Sequence, residues 1–402
     1  MIIIGGTYIE KCFEPQWSEI YGSGLRAVQL ILEFDETQNI KYITCGDVNI
    51  QQHLKGVSLI YKNLEYEIID FFTVISFTYD YPLRAPFINP RLDLYSQKDR
   101  LLKAEGDNIL IYGMLEATFN VNADKVVYDP QSPINPQLFS STSSTCNNLV
   151  TIINYTEACR MSNEKELKDI KDFFFSKENV YALIIKMGAK GAYLFENIND
   201  EGKNIPVFKT EKIWTIGTGD IFSAFFAYNW FNGTNLFDSA MLASKAVAIY
   251  SKSKSLSILN SISNFKFNPL FIDERRPKKI YLAGPFFKFT ERWLVNEIYS
   301  NLKDFGLDVF SPYHDVGPGN AELVVNKDIE GLDECEVIFA IIDGLDSGTL
   351  FEVGYAIAKS KTVIAYVQNE TEESLKMLEG TECVIEDDLS TAIYKTYWYA
   401  FS

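Results

Sequence analysis

The stretch GTLFEVGYAIAK, residues 348 to 359, sets a carboxylate, Glu352, inside an apolar helical run formed by Leu350, Phe351, Val353, Ala356 and Ile357. A charge placed near a core has to be paired, neutralised or used. Further carboxylates stand at neighbouring strand ends: Asp343 and Asp346 in IIDGLDSGT, and Asp328 in the helix leading into the strand EVIFAIID. An ionised, partly desolvated carboxylate with others nearby is equipment for breaking a glycosidic bond. One carboxylate attacks the anomeric carbon and another protonates the leaving group. Close to a helix start, Glu352 is expected to be held as the anion by first-turn N–H groups and the helix dipole. The same letters fit a plainer arrangement, with Glu352 reaching solvent, Asp343 and Asp346 in turns, and Gly284–Pro285 a bend. A second cluster lies in WTIGTGDIFSAFFAYNW, where Gly217, Thr218, Gly219 and Asp220 precede an apolar helix. Glycines there leave N–H groups free for an anion, and the aspartate can take a proton from a hydroxyl. A glycine turn with a capping aspartate gives the same letters.

These residues need strands and helices to hold them. After residue 278 short apolar strands alternate with amphipathic helices: KKIYLAGP, TERWLVNEIYSNLKDFG, LDVFSP, a helix around 321 to 334, EVIFAIID, the helix from 348, TVIAYV, EESLKMLE, TECVIE and LSTAIYKTYWYAF. About five strands in this pattern predict a doubly wound, flavodoxin-like parallel sheet, with ligands beyond the strands' carboxyl ends. The first 265 residues are α/β but less even. Residues 57 to 95 show strand-like alternation without a helix signal and predict an antiparallel lid or dimer surface. From NILIYGML to FFAYNW strands and helices are expected to alternate again. The charge cluster around Pro277 places a linker at 266–278, between domains at 1–265 and 279–402.

The chain has 402 residues, 47% of them hydrophobic, and a net charge of -17. Phosphate backbones and anionic membranes call for a basic surface, so neither nucleic acid nor a membrane is expected as a partner. The six cysteines form no CxxC pair and read as free thiols of a cytoplasmic protein. Two histidines, His53 and His314, exclude a histidine-rich metal site. MIIIGGTYIE reads as a first strand and turn, and no apolar run approaches a membrane span.

The segments IYLAGPFF, KDI and DGLDSGTLFEVGYAIA closely resemble the nucleoside 2-deoxyribosyltransferase family over residues 278 to 370. The resemblance implies that Glu352 is the nucleophile forming a covalent 2-deoxyribosyl-enzyme and that Tyr281 orients it. Asp328 would exchange the proton with the base, Asp346 would bind sugar hydroxyls, and Phe286 and Phe287 would pack on the nucleobase. Gly284 would let substrate approach the backbone. Relatives include hydrolases of nucleoside 5′-monophosphates, for which His314, Asp315 and the GPG turn would greet the 5′ group; the same letters fit a plain surface loop.

GTGD resembles the GAGD signature of ribokinase-like (PfkB) sugar and nucleoside kinases. YGSGLRAVQLILE with KYITCGD, VVYDP, NYTEA and IIKMGAKGAYLF follow in that family's order across about 1 to 260. The implied fold is a ribokinase-like α/β domain with a β lid. The resemblance implies Asp220 as the base on a sugar hydroxyl and an ATP site with Gly217, Thr218, Gly219, Gly188 and Gly191. Asn154 and Glu157 would hold Mg²⁺ through water, with no direct protein ligand. By the same resemblance Gly22, Glu10 and Arg26 would line the acceptor pocket. Glu10 and Arg26 stand where the family has Asp and Asn, so Arg26 either holds an anionic group on the acceptor or pairs with Glu10. Both resemblances imply a homo-oligomer acting on a nucleoside, nucleotide, nucleobase or pentose.

Overall fold

The computed structural model describes residues 1–401 except 133, 134, 271 and 273–276; the side chains of 98 and 258–261 are outside the description. Within the expected linker, residues 271 and 273–276 therefore lie outside the described residues. Two compact units emerge from the contacts, Met1–Thr210 with Trp214–Pro269, and Glu211–Ile213 with Leu270–Ser402.

The first unit carries β1 (Ile2–Ile4), β2 (Ile9–Cys12), β3 (Trp17–Ile20), α1 (Gly22–Phe34), β4 (Ile40–Gly46), α2 (Val48–Ile60) and β5 (Leu64–Asp70). It continues through β6 (Ser76–Tyr79), β7 (Phe87–Asn89), β8 (Leu101–Tyr112), β9 (Thr118–Asp129) and β10 (Thr145–Asn154). Helices α3 (Tyr155–Ser162) and α4 (Leu167–Lys177), strands β11 (Ala182–Lys186), β12 (Ala192–Phe195) and β13 (Lys203–Ile205), and helices α5 (Thr218–Phe231) and α6 (Leu236–Ser253) follow. The main sheet runs β13-β12-β11-β10-β9-β8-β1-β4-β5, and a separate sheet runs β3-β2-β6-β7. Interior strands of the main sheet are continuous apolar runs, such as ALIIK and LVTIIN, because helices cover both faces.

Two expectations for this unit need correcting. Residues 57 to 60 finish α2, and β5 joins the main sheet parallel to β4, so only β6 and β7 of the 57 to 95 stretch enter the small sheet. The apolar positions Ile50, Leu54 and Val57 face the core at helical spacing, which the strand-like letters after them mask. The second correction concerns β8 and β9, which have no helix between them although they pair in parallel from Leu101↔Thr118 to Tyr112↔Asp129. Twelve straight strand residues span about 36 Å at roughly 3.3 Å each. The six peptide steps from Tyr112 to Thr118 reach about 22 Å at most. Both strands therefore turn a corner, at Asp107 and Asp124, the positions their pairing skips. Asn147 is skipped at the same level in β10, and its side-chain amide donates to Asp124 Oδ1 at 2.9 Å. The corner delivers Tyr112 and Asp129 to the carboxyl edge of the sheet.

The second unit is regular: β14 (Ile280–Ala283), α7 (Phe289–Asp304), β15 (Val309–Phe310), α8 (Ala321–Glu334), β16 (Val337–Ile341) and α9 (Ser347–Ala358). It ends with β17 (Thr362–Tyr366), α10 (Glu372–Glu379), β18 (Val384–Glu386) and α11 (Leu389–Ala400). All pairs are parallel, in the order β15-β14-β16-β17-β18. That is the flavodoxin-like order, with a switch point between β14 and β16 where ligands bind. No described helix is long and apolar enough to cross a membrane.

Candidate active site and nucleotide cavity

At the switch point of the second unit, Tyr281 from β14 donates its phenol O–H to Glu352 Oε1 of α9 at 2.7 Å. The Tyr281 ring is fully buried and stacks on Phe310 at 5.4 Å, which fixes the direction of the hydroxyl. Burial pushes the Glu352 carboxyl up to about 7; the Tyr281 hydrogen bond lowers it, and the charges of Asp328 and Asp346 raise it again. The expected dipole stabilisation does not act, because Glu352 lies beyond the first turn of α9, which contains no acidic residue. The buried stripe of α9 is Thr349, Val353 and Ala356, while Leu350 and Phe351 are exposed, contrary to the apolar face expected from the letters.

Asp328 of α8 presents a buried Oδ1 with no hydrogen-bond partner among the described residues, and burial raises its pKa. A half-desolvated carboxyl with a bare oxygen suits a group that holds and passes a proton. Asp346 is the N-cap of α9, its Oδ2 accepting from Thr349 N at 2.9 Å and Thr349 Oγ1 at 3.1 Å. Phe286 stacks on Phe287 at 5.3 Å and leans on Tyr313 at 5.6 Å; Phe287 is exposed. A Cβ on Gly284 would press on Ile341, 2.8 Å from Cδ1 and 3.1 Å from Cβ, so this glycine also serves the packing of β14 against β16. His314 has both ring nitrogens engaged, Nδ1 with Ser311 Oγ at 3.0 Å and Nε2 with Asn296 Oδ1 at 2.9 Å, and burial lowers its pKa.

In the first unit, a cavity of about 290 Å³ is lined by Asp129, Gln131, Asn154, Glu157, Lys186, Gly188, Gly191, Thr218 and Gly219, with Ala192, Val207, Phe222 and Val247 as apolar wall. Gly217 caps α5 in the left-handed region at φ +81, and the first-turn N–H groups of Gly219 and Asp220 have no intrahelical acceptor. Asn154 and Glu157 form a capping box on α3, and Glu157 Oε1 also accepts from Ser132 N at 3.0 Å. Burial, ahead of the charge on Asp129, raises the Glu157 carboxyl. Both motif residues thus line the cavity while holding a helix end.

The acceptor half is occupied by protein. Arg26 is fully buried and hydrogen-bonds Glu10 through Nη2 and Asp220 through Nη1. Its guanidinium lies against Gly217, where a Cβ would collide with it. Gln131 Nε2 donates to the other Asp220 oxygen, and Tyr112 donates to the Asp220 carbonyl at 2.8 Å. Of the two roles expected for Arg26, pairing with Glu10 is the one observed, extended to Asp220. Gly22, at φ +64, starts α1 and presents Arg26 on its second turn. Sequence reasoning missed Gln131, Lys186 and Asp129; the last two stand at strand ends in segments it had quoted, IIKMG and VVYDP, a position that marks ligand contacts.

Residues 106–261 match the family model described as pfkB family carbohydrate kinase, and residues 280–388 match that of nucleoside 2-deoxyribosyltransferase. An uncharacterized protein of Ureaplasma parvum serovar 3 is 32% identical over 99 residues, covering 21% of this chain and 63% of the relative, so less than two thirds of that protein is matched. Similar solved structures include a ribokinase of Thermotoga maritima (16% identity, 65% of this chain and 97% of that chain, TM-score 0.49). A fructokinase of Vibrio cholerae O395, solved with fructose, ADP and calcium ion, has 11% identity, covers 66% and 98%, and gives a TM-score of 0.47. A Methanocaldococcus jannaschii nucleoside kinase has 15% identity, covers 65% and 97%, and gives 0.46. Along the chain, a segment similar to pfkB family carbohydrate kinases is thus followed by a segment similar to nucleoside 2-deoxyribosyltransferases.

Proposed function

We propose that the protein is a bifunctional enzyme of nucleoside or nucleotide salvage whose second unit cleaves or transfers the N-glycosidic bond of a 2-deoxynucleoside. The observation that carries this reading is the Tyr281–Glu352 hydrogen bond at 2.7 Å beside the unpartnered oxygen of Asp328. The Glu352 carboxylate attacks C1′, the C–N bond breaks, and its electron pair leaves with the base, which takes the Asp328 proton. Water or the N–H of an acceptor base then attacks C1′, frees Glu352 and returns a proton to Asp328. Tyr281 holds the attacking oxygen in line, Asp346 faces sugar hydroxyls, and Phe286 and Phe287 offer a stacking surface for the base. The occupied and neutral His314 supports a nucleoside over a 5′-monophosphate as substrate. Chromatography of incubations with a 2-deoxynucleoside and a different free base tests this. A new deoxynucleoside supports transfer, free deoxyribose supports hydrolysis, and ribosyl phosphate from a monophosphate would replace this reading with the nucleotide one.

For the first unit, the cavity beside α5 supports an ATP-binding role with Asp220 as base for transfer to a sugar or nucleoside hydroxyl. The bare, buried Oδ1 of Asp129 and the carboxylate of Glu157 fit a polar, cation-bearing ligand such as MgATP. Asn154 and Glu157 would face the Mg²⁺ through water, and the ion would offset phosphate charge. Transfer requires an acceptor that releases Asp220 from Arg26. That clamp favours a second reading, in which this unit binds its nucleotide without turnover. Labelled γ-phosphate from ATP, offered with a panel of pentoses and nucleosides, separates the two: Asp220-dependent labelling of any acceptor supports the kinase, and binding without labelling supports the ligand-binding unit.

A further inference from the structure

Lys186 ends β11, whose preceding residues are all buried, and projects at the carboxyl edge of the sheet into the 290 Å³ cavity. It is the one cation among the described residues lining that cavity. Its Nζ donates to Asp129 Oδ2 at 2.6 Å, and Ser223 Oγ donates to the same oxygen at 2.6 Å. Asp129 is fully buried, so its charge needs a cation, and Lys186 is fixed by answering that need. The pairing uses one of three ammonium N–H groups. The side chain keeps 16% of its surface exposed, which a lysine serving only to neutralise a buried acid would not need. The ammonium lies 3.4 Å from where a Cβ of Gly219 would stand, beside first-turn N–H groups of α5. Ala192, Val207, Phe222 and Val247 line the same cavity and give it apolar surface suited to a flat base.

We infer that Lys186 holds the terminal phosphates of a nucleoside di- or triphosphate, with Asp129 and Ser223 as its positioning partners. This rests on reading the cavity as a nucleotide site, and it adds the residue that makes the site prefer more phosphates over fewer. A charged lysine offers point-charge donors that match phosphate oxygens. The helix start adds N–H groups at the same place.

Titration calorimetry of the full chain with ATP, ADP, AMP and adenosine tests the inference. The wild type is expected to bind more tightly as phosphates are added. Lys186→Met alone leaves Asp129 buried and unpaired, so the double variant Lys186→Met/Asp129→Asn, which removes both charges, accompanies it. The double variant should lose about tenfold or more in ATP affinity, the worth of a charge-assisted hydrogen bond, while adenosine changes by less than about twofold. Unchanged ATP affinity, or an equal loss for adenosine, would overturn the phosphate role. Wild-type binding of all four ligands with one affinity would overturn this inference and leave the nucleotide site standing. Binding of none would overturn both.

Discussion

The pH dependence of glycosidic cleavage should carry the signature of the Tyr281–Glu352 pair. Glu352 must be ionised to attack C1′, yet burial holds its pKa at about 7 against an ordinary 4.5. The kcat/KM for a 2-deoxynucleoside should therefore rise with pH as Glu352 ionises near about 7 and fall again once Asp328, the proton donor, has lost its proton, since that ratio reports groups of the free enzyme. Tyr281 donates at 2.7 Å and lowers the pKa of Glu352, so Tyr281→Phe removes a stabiliser of the anion. A hydrogen bond to a charged group contributes about 1.5–3 kcal/mol. At about 1.4 kcal/mol per pKa unit, the acidic limb should move up by roughly one to two units. The substitution keeps an aromatic ring to stack on Phe310, so the fold should persist. Initial rates of base release between pH 5 and pH 10 (roughly, bracketing both limbs), followed by absorbance, give both profiles. A wild-type limb at the ordinary carboxylate value would show that burial does not govern Glu352, and a Tyr281→Phe limb that stays put or moves down would show that the Tyr281 hydrogen bond does not.

The other expectations concern stability and separation of function. Because the folded pKa of Glu352 exceeds its unfolded value, its contribution to stability is greatest below about 4.5 and declines as pH rises to about 7. Glu352→Gln should therefore raise the melting temperature of the second unit more at pH 8 than at pH 5, by up to about 3 kcal/mol in stability; an equal effect at both would contradict the burial account. Glu352→Ala should abolish cleavage and leave ATP binding by calorimetry intact, and comparable cleavage would remove it as nucleophile. Arg26→Met leaves Glu10 and Asp220 buried without their cation and should cost the first unit about 3–5 kcal/mol by denaturant unfolding; a cost under about 1 kcal/mol would show that the clamp is solvated. Gly217→Ala forces a side chain into φ +81 against Arg26 and should destabilise by roughly 1–3 kcal/mol.

The second unit was readable because its elements follow the simplest rule: short apolar strands of two to five residues between helices, each returning the chain to the same edge. That regularity brings Tyr281, Asp328 and Glu352 together from three elements. The ionisation of Glu352 was not readable, since burial, which the neighbouring letters do not report, sets its pKa, and the residue lies beyond the first turn where a helix field would act. Exposure of Leu350 and Phe351 was hidden for a similar reason: hydrophobicity does not say which side of a helix meets the sheet. In the first unit the glycine turn at Gly217 was local and legible, while the capping box of Asn154 and Glu157 came only with the structure. The clamp joins residues 10, 26 and 220, and no short-range pattern predicts a contact across that separation. The corner in β8 and β9 was missed because alternation looks the same in straight and bent strands, and only the shortness of the 113 to 117 connection betrays it.

In the proposed mechanism Glu352 forms a covalent bond to the sugar during turnover. Acid quenching during turnover of a 2-deoxynucleoside, followed by proteolysis and mass spectrometry, should find one 2-deoxyribosyl group on the peptide bearing Glu352 and none in Glu352→Gln. Turnover with that peptide unmodified throughout, or the same adduct in the Glu352→Gln protein, would contradict it.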